Sequence, residues 1–185
     1  MTARRRWLDE GLELLAESGP GGLTIDALCA RLGLSKGSFY HHFKGMAGFK
    51  TALLEHYEER GAQVFIDLVE SLPMADGAEK LKRLVEAAVT DETPDEVETQ
   101  LRAWASKDAE AREHLERIDR KRTEYVRRQC RAVVEDADLA DDVTQLIYLV
   151  LVGAGYAVPP LPVREQARLW NRLIAYLESE AGRAR

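Results

Sequence analysis

The chain reads as an all-α protein, with a three-helix helix-turn-helix unit at its N-terminus and a longer helical body behind it. Three observations predict this. No stretch sustains the apolar–polar alternation of a half-buried strand. Apolar residues recur instead at helical spacing, as with Leu8, Leu12 and Leu15. Glycine, proline and capping residues punctuate the pattern at helix-length intervals. A chain of 185 residues has room for a module of about 50 residues joined to a larger domain, and the expected division is 1–50 and 51–185.

Each element has its own signal. The first helix spans Ala3–Ser18, and Gly19-Pro20-Gly21-Gly22 ends it, because two glycines and a proline favour a turn. Thr24 offers an N-cap for a short helix, Ile25–Leu32, with Leu28 and Leu32 inward. Gly33 breaks it, and Ser35 caps a third helix running to Phe43. After Gly45 a long fourth helix covers Met46–Glu70 and closes at Leu72-Pro73. The domain boundary falls inside that helix, near Glu55, which leaves no flexible linker. The body continues as Ala78–Thr90, Pro94–Ser106, Ala109–Glu135, Leu139–Ala157 and Val163–Ala181. Thr93 and Glu96 form a capping box, with Pro94 at the first helical position where its missing N–H costs nothing.

Composition narrows the classes. Charged residues make up 31% of the chain, which suits solvated helical faces on a soluble protein. Cys29 and Cys130 stand far apart with no CxxC spacing, against a disulfide framework or zinc site and in keeping with a reducing cytoplasm. Arg4, Arg5 and Arg6 resemble a leader's basic start, but Asp9, Glu10 and Glu13 interrupt the apolar core it would need. The uncharged run Val143–Val163 meets Pro159, Pro160 and Pro162 too early to span a bilayer, so a buried helix is expected. Residues 1–50 carry a balance of +2 and the remainder −8. A basic head on an acidic body suits contact with phosphates.

The informative segment is Leu23–Lys50. Two short helices joined by a glycine-containing turn form a helix-turn-helix, whose second helix must enter the major groove while the first braces it. Cys29 is small where the helices approach, and Leu34, Phe39 and Phe43 supply the buried side. At 100° per residue the opposite face carries Gly37, Ser38 and His41, flanked by Tyr40 and His42. Ser35 and Lys36 stand at the helix N-terminus, which favours a phosphate, and Thr24 holds the same place on the preceding helix. Tyr40 and Lys44 can each clamp a backbone oxygen; the alternative for Tyr40 is packing against the fourth helix.

These residues resemble the TetR family of bacterial regulators. The resemblance rests on Leu23-Thr24, on Leu32-Gly33-Leu34-Ser35, on the string Ser35 to Phe43, and on Gly48-Phe49 with Leu53 and Leu54. It implies phosphate contacts from Thr24, Ser35, Tyr40 and Lys44, and base-edge contacts from Lys36, Gly37, Ser38 and His41. One departure is Gly45-Met46-Ala47, where family members often carry a lysine and then an acid. That implies a missing phosphate contact, with more weight on the Arg4–Arg6 arm. In the body, Leu101-Arg102-Ala103-Trp104, Asp108, Ile118-Asp119, Arg122 and Tyr125 look like a common effector-domain subtype.

The resemblance further implies a homodimer on a pseudo-palindromic DNA operator, released by an unidentified small-molecule effector and acting as a repressor or an activator. Leu146, Ile147, Val150 and Ala154, with Leu169, Leu173, Ile174 and Leu177, make two apolar helix faces. In a monomer they are core; by resemblance they form a four-helix bundle with a second subunit. Gly153 and Gly155 favour a tight interface, since an interior helical glycine otherwise costs about 1 kcal/mol. Arg122 and Gln129 interrupt the apolar stripe Leu115, Ile118, Tyr125 and Val133. Two readings stand: an interhelix salt bridge, or a pocket shared with Leu101, Trp104 and Tyr125 that binds a polar group of the effector.

No cofactor, metal or enzymatic activity is expected. His41 and His42 diverge by 100° and lack a third ligand, and Ser38 with His41 lacks an orienting acid and oxyanion donors. The rivals are a non-sensing architectural DNA-binding protein, which predicts no apolar pocket, and a helical enzyme or metal protein, which predicts convergent acid, base or metal groups.

Overall fold

The computed structural model describes residues 2–61, 63–71, 76–89 and 96–183. Among them are ten helices and no strand: α1 (Ala3–Gly22), α2 (Ile25–Leu32), α3 (Lys36–His42), α4 (Met46–Gly61), α5 (Gln63–Glu70), α6 (Gly77–Val89), α7 (Glu96–Ala105), α8 (Ala109–Val133), α9 (Ala137–Tyr156) and α10 (Val163–Arg183). The helix expected over Met46–Glu70 is α4 and α5, on either side of Ala62. The Leu72-Pro73 stop, Thr93 of the capping box and Pro94 lie outside the described residues.

The chain forms two compact units, and compactness divides it differently from a cut at residue 50. The first comprises Met1–Gly61 and Asp95–Ile118; the second comprises Ala62–Pro94 and Asp119–Arg185.

In the first unit, the expected break after Ser18 is present: the backbone leaves the helical region at Gly19 (φ 65°, ψ −175°), and a short further helical piece runs from Pro20 to Gly22. Only glycine adopts that backbone at low cost. Arg4–Arg6 belong to the first turn of α1, behind the Thr2 N-cap. Their helical placement is the one expected from a first helix beginning at Ala3. The threonine side chain offers the backbone an acceptor at that point, and helix starts one residue later.

The core of this unit joins Trp7, Leu14 and Leu15 of α1 to Leu28, Phe39, Phe49 and Leu53, all buried. Gly11 lets α1 lie close on α4: an added Cβ would stand 2.7 Å from the Phe49 ring. Polar links tie α4 to α7 and α8. The Tyr57 hydroxyl donates to Glu98 at 2.6 Å, and Thr51 donates to Glu110 at 2.6 Å. Glu58 meets His114 at 2.6 Å and Arg117 at 3.0 Å. Burial works to raise the Glu58 pKa, but Arg117 and His114 outweigh it and hold the carboxyl below its usual range.

The second unit packs α6, the later part of α8, α9 and α10 around Leu81, Val85, Val126, Cys130, Val143, Trp170, Ile174 and Leu177. The Trp170 indole N–H donates to the Ile147 carbonyl at 3.0 Å, which fixes α10 against α9. No helix among the described residues is long and apolar enough to cross a membrane.

Gly77, at the start of α6, sets how closely that helix approaches α8. An added Cβ would lie 2.5 Å from the Gln129 carbonyl oxygen and 3.0 Å from Ala132 Cβ. The obstruction is backbone, which cannot rotate away. Gly77→Ala is expected to cost roughly 1–3 kcal/mol through overpacking. Urea unfolding checks this as a lower midpoint at unchanged slope; an unshifted midpoint contradicts the close approach.

Candidate nucleic-acid interface

Helices α2 and α3 owe their lengths to local chemistry. Thr24 caps α2, its hydroxyl oxygen accepting the Ala27 N–H at 3.2 Å. Gly33 ends the helix in the left-handed region (φ 66°, ψ 31°). The Leu34 N–H then reaches back to the Cys29 carbonyl at 3.1 Å, the bond that closes a glycine C-cap. Ser35 caps α3 by accepting the Ser38 N–H at 3.2 Å. Both expected caps and the expected break are present.

Phe39 and Phe43 then decide which way α3 faces. Phe39 is fully buried and Phe43 nearly so. Phe39 meets Trp7 edge-on at 5.5 Å between ring centroids and Phe49 at 5.5 Å. Phe43 meets Phe49 at 5.0 Å, nearly perpendicular. Each buried ring contributes about 1.5–3 kcal/mol, and the edge-on geometry adds to that. Two aromatic partners, Trp7 from α1 and Phe49 from α4, thus hold one face of a seven-residue helix.

The remaining face is open. Lys36, Gly37, Tyr40, His41 and Lys44 are exposed, and Ser38 is half-buried. Tyr40 is 58% exposed, with its ring edge resting on Phe39 at 5.7 Å. A Cβ added at Gly37 would meet Ser35 Oγ at an ordinary 3.7 Å, so packing within the chain does not demand the glycine. Thr24 and Ser35 are exposed at the head of their helices. The segment therefore gathers hydroxyls, two lysines and a histidine on one surface of the head.

Three ion pairs brace this surface. Arg31, at the end of α2, bridges Glu10 and Glu17 of α1. Lys36 Nζ lies 2.6 Å from Asp26 Oδ1, and that carboxylate raises the ammonium's pKa above its ordinary value. The Arg4 guanidinium lies over the Phe43 ring at 5.5 Å. Sequence spacing does not bring out Asp26, since its pairing depends on how the turn folds α3 back. A cavity of about 360 Å³ also opens near the start of α1, lined by Thr2, Arg4, Arg5, Leu8, His56 and Glu59.

The residues expected to bind an effector are divided between the units. Leu101 and Trp104 are buried in the first, where Lys50 Nζ lies 5.5 Å from the Trp104 ring centre. In the second, Arg122 is half-buried and 3.8 Å from Asp119 on its own helix. Asp119 also accepts the Tyr148 hydroxyl at 2.8 Å. Gln129 and Tyr125 are buried. The Tyr125 hydroxyl makes no hydrogen bond of ordinary geometry among the described residues. Burial, and then the nearby Glu70 carboxylate, push its pKa up.

The apolar faces of α9 and α10 require a correction. Ala154, Ile174 and Leu177 are buried within the second unit, so they have no surface left to offer a partner. The exposed stripe runs one step around each helix. On α9 it holds Leu146, Leu149, Gly153 and Tyr156, with Val150 half-exposed; on α10 it holds Tyr176 beside the half-exposed Leu169 and Leu173. Ile147 is half-buried against the core. Leu149 and Tyr156 escaped a reading by apolar character because α9 is apolar around most of its circumference, and Tyr176 because it stands beside the α10 core stripe rather than in it.

Residues 8–55 match the family model described as bacterial regulatory proteins, tetR family. The transcriptional regulator AcuR of Cereibacter sphaeroides is 36% identical over 69 residues, covering 35% of this chain and 32% of that protein. The chain thus spans about a third of that relative's length. A transcriptional regulator from Saccharomonospora viridis, solved in complex with choline, superposes with a TM-score of 0.76 at 24% identity, over 94% of this chain and 95% of that one. Reduced NemR of Escherichia coli gives 0.75 at 17%, over 96% and 97%. The TetR-family regulator SCO4454 of Streptomyces coelicolor gives 0.77 at 14%, over 97% and 89%. At such identities these structures establish a shared fold.

Phe39→Ala removes the central ring of the aromatic cluster. Its expected cost is roughly 3–5 kcal/mol of stability. Denaturant unfolding measures it, and a loss below about 1 kcal/mol would mean that the ring does not anchor α3.

Proposed function

We propose that this chain, whose residues 8–55 match the model of the tetR family of bacterial regulatory proteins, is a DNA-binding transcriptional regulator that acts as a homodimer on a pseudo-palindromic operator. One observation carries the reading. Helix α3 buries both phenylalanines and turns Lys36, Gly37, Tyr40 and His41 outward. A short helix anchored from beneath, with small and polar groups above, fits the major groove.

The roles follow from position. Lys36, Gly37, Ser38 and His41 approach base edges, and the bare Gly37 admits a base where a side chain would hold the helix off. Thr24, Ser35, Tyr40 and Lys44 hold phosphates and set register. The apolar stripe of Leu146, Leu149, Val150, Gly153 and Tyr156 on α9, with Leu169, Leu173 and Tyr176 on α10, pairs with the same stripe of a second copy. A Cβ at Gly153 would meet nothing within 4 Å in this chain, which leaves room there for a partner helix. Such isologous pairing places two recognition helices one DNA turn apart.

A small organic effector, binding in the helical body, shifts the dimer between orientations that do and do not match the operator, and so relieves repression. The choline held by the Saccharomonospora viridis relative supports that class of ligand. Arg122, Tyr125 and Gln129 of the second unit are the candidates to contact it. The setting is cytoplasmic, and no catalytic role is assigned.

Gel shifts with DNA upstream of the protein's own gene test the core of this reading. Salt-sensitive, sequence-selective binding is expected; equal binding to scrambled DNA overturns it in favour of an architectural protein. Leu149→Lys is expected to yield a monomer by sedimentation and to weaken operator binding at least roughly tenfold, as loss of one half-site requires. A dimer of unchanged stability would place the interface elsewhere. Once a screen for compounds that raise the thermal midpoint has supplied an effector, Arg122→Ala should abolish its release of DNA. An unchanged response removes Arg122 from the site.

A further inference from the structure

We infer that Asp26 is a specificity-determining residue of the DNA-reading surface: by pairing with Lys36 it withholds that lysine from phosphates and reserves it for base edges. The inference rests on the regulator reading above. Its observations are local to the head. Asp26 stands in the first turn of α2 and Lys36 opens α3. Their side chains meet across the intervening turn at 2.6 Å, and both are well exposed, Asp26 at 77% and Lys36 at 61%. Neither is needed to fill a core. An exposed ion pair adds little to stability, so the pairing has its largest effect on whatever charged surface approaches.

That surface is a polyanion. A free lysine at the head of α3 would engage any phosphate of any sequence, adding one unit to the electrostatic, sequence-independent part of binding. With the Asp26 carboxylate beside it, the pair presents almost no net charge. A phosphate must then displace a carboxylate that repels it. A guanine edge offers neutral acceptors and meets no such repulsion, so Lys36 can donate to it while keeping Asp26 as its second partner. Thr24 and Ser35 carry no charge, and Lys44 at the far end of α3 is exposed. Asp26 is the acid in the first turn of α2, and the first turn of α3 contains none.

The test is a salt titration of binding by the full chain, read by fluorescence anisotropy on a scrambled duplex and on DNA from upstream of its own gene. Asp26→Asn should bind the scrambled duplex roughly fivefold more tightly at about 0.1 M salt and steepen the log–log salt slope by about 0.9. The upstream duplex should gain less, so the ratio between the two falls. Asp26→Glu, which keeps the charge, should behave as the unmodified chain. Lys36→Gln alone should weaken the upstream duplex but barely move the scrambled-duplex slope, because Asp26 already neutralises that lysine. An unchanged or shallower slope for Asp26→Asn at normal thermal midpoint overturns the inference. So does a slope lost by a full unit in Lys36→Gln, a readout available even if the first variant folds poorly. If the unmodified chain binds both duplexes alike, the regulator reading itself fails; if it discriminates and the slopes do not move, this inference alone fails.

Discussion

The burial of Phe39 and Phe43 against Trp7 and Phe49 is the constraint on which the head depends. Helix α3 has seven residues, too few to be stable from backbone hydrogen bonding alone. It persists because its two rings complete a cluster that α1 and α4 have already begun. The same contact settles orientation, since a helix pinned by residues four apart cannot rotate. Everything on the outward face inherits its position from those rings. The polar side chains there need no partners of their own to be held in place.

Around that cluster, charge does finer work. Arg31 joins α2 to α1 through two carboxylates, so the bracing helix is tied at its C-terminal end as well as by Leu28 beneath. Asp26 and Lys36 span the turn. On α4, Glu58 gathers His114 and Arg117, while Tyr57 and Thr51 hold Glu98 and Glu110. Helix α4 thus leaves the aromatic cluster along one side and is fastened to α7 and α8 on the other.

The second unit poses a different problem, since α9 and α10 are apolar on more than one face. Trp170, Ile174 and Leu177 satisfy the protomer core. Leu146, Leu149, Tyr156 and Tyr176 remain outside it. An exposed apolar stripe on two neighbouring helices is costly for an isolated molecule and is a common mark of an interface. The helices can serve both tasks because a helix presents distinct stripes at i, i+3 and i+4.

By itself the sequence determined the all-helical class, the caps at Thr24 and Ser35, the break at Gly33 and the inward phenylalanines. These depend on residues within one helical turn of each other, where period and capping chemistry act directly. It also pointed to the family whose model residues 8–55 match, because the helix-turn-helix string is short and contiguous. Tertiary structure alone decided the rest. Ile174 and Leu177 belong to the core while Leu149 and Tyr176 do not, a distinction set by which side of each helix its neighbours occupy. Asp26 reaches Lys36 only because the turn folds α3 back beside α2. Periodicity reports that a residue faces something; only the packed chain says what.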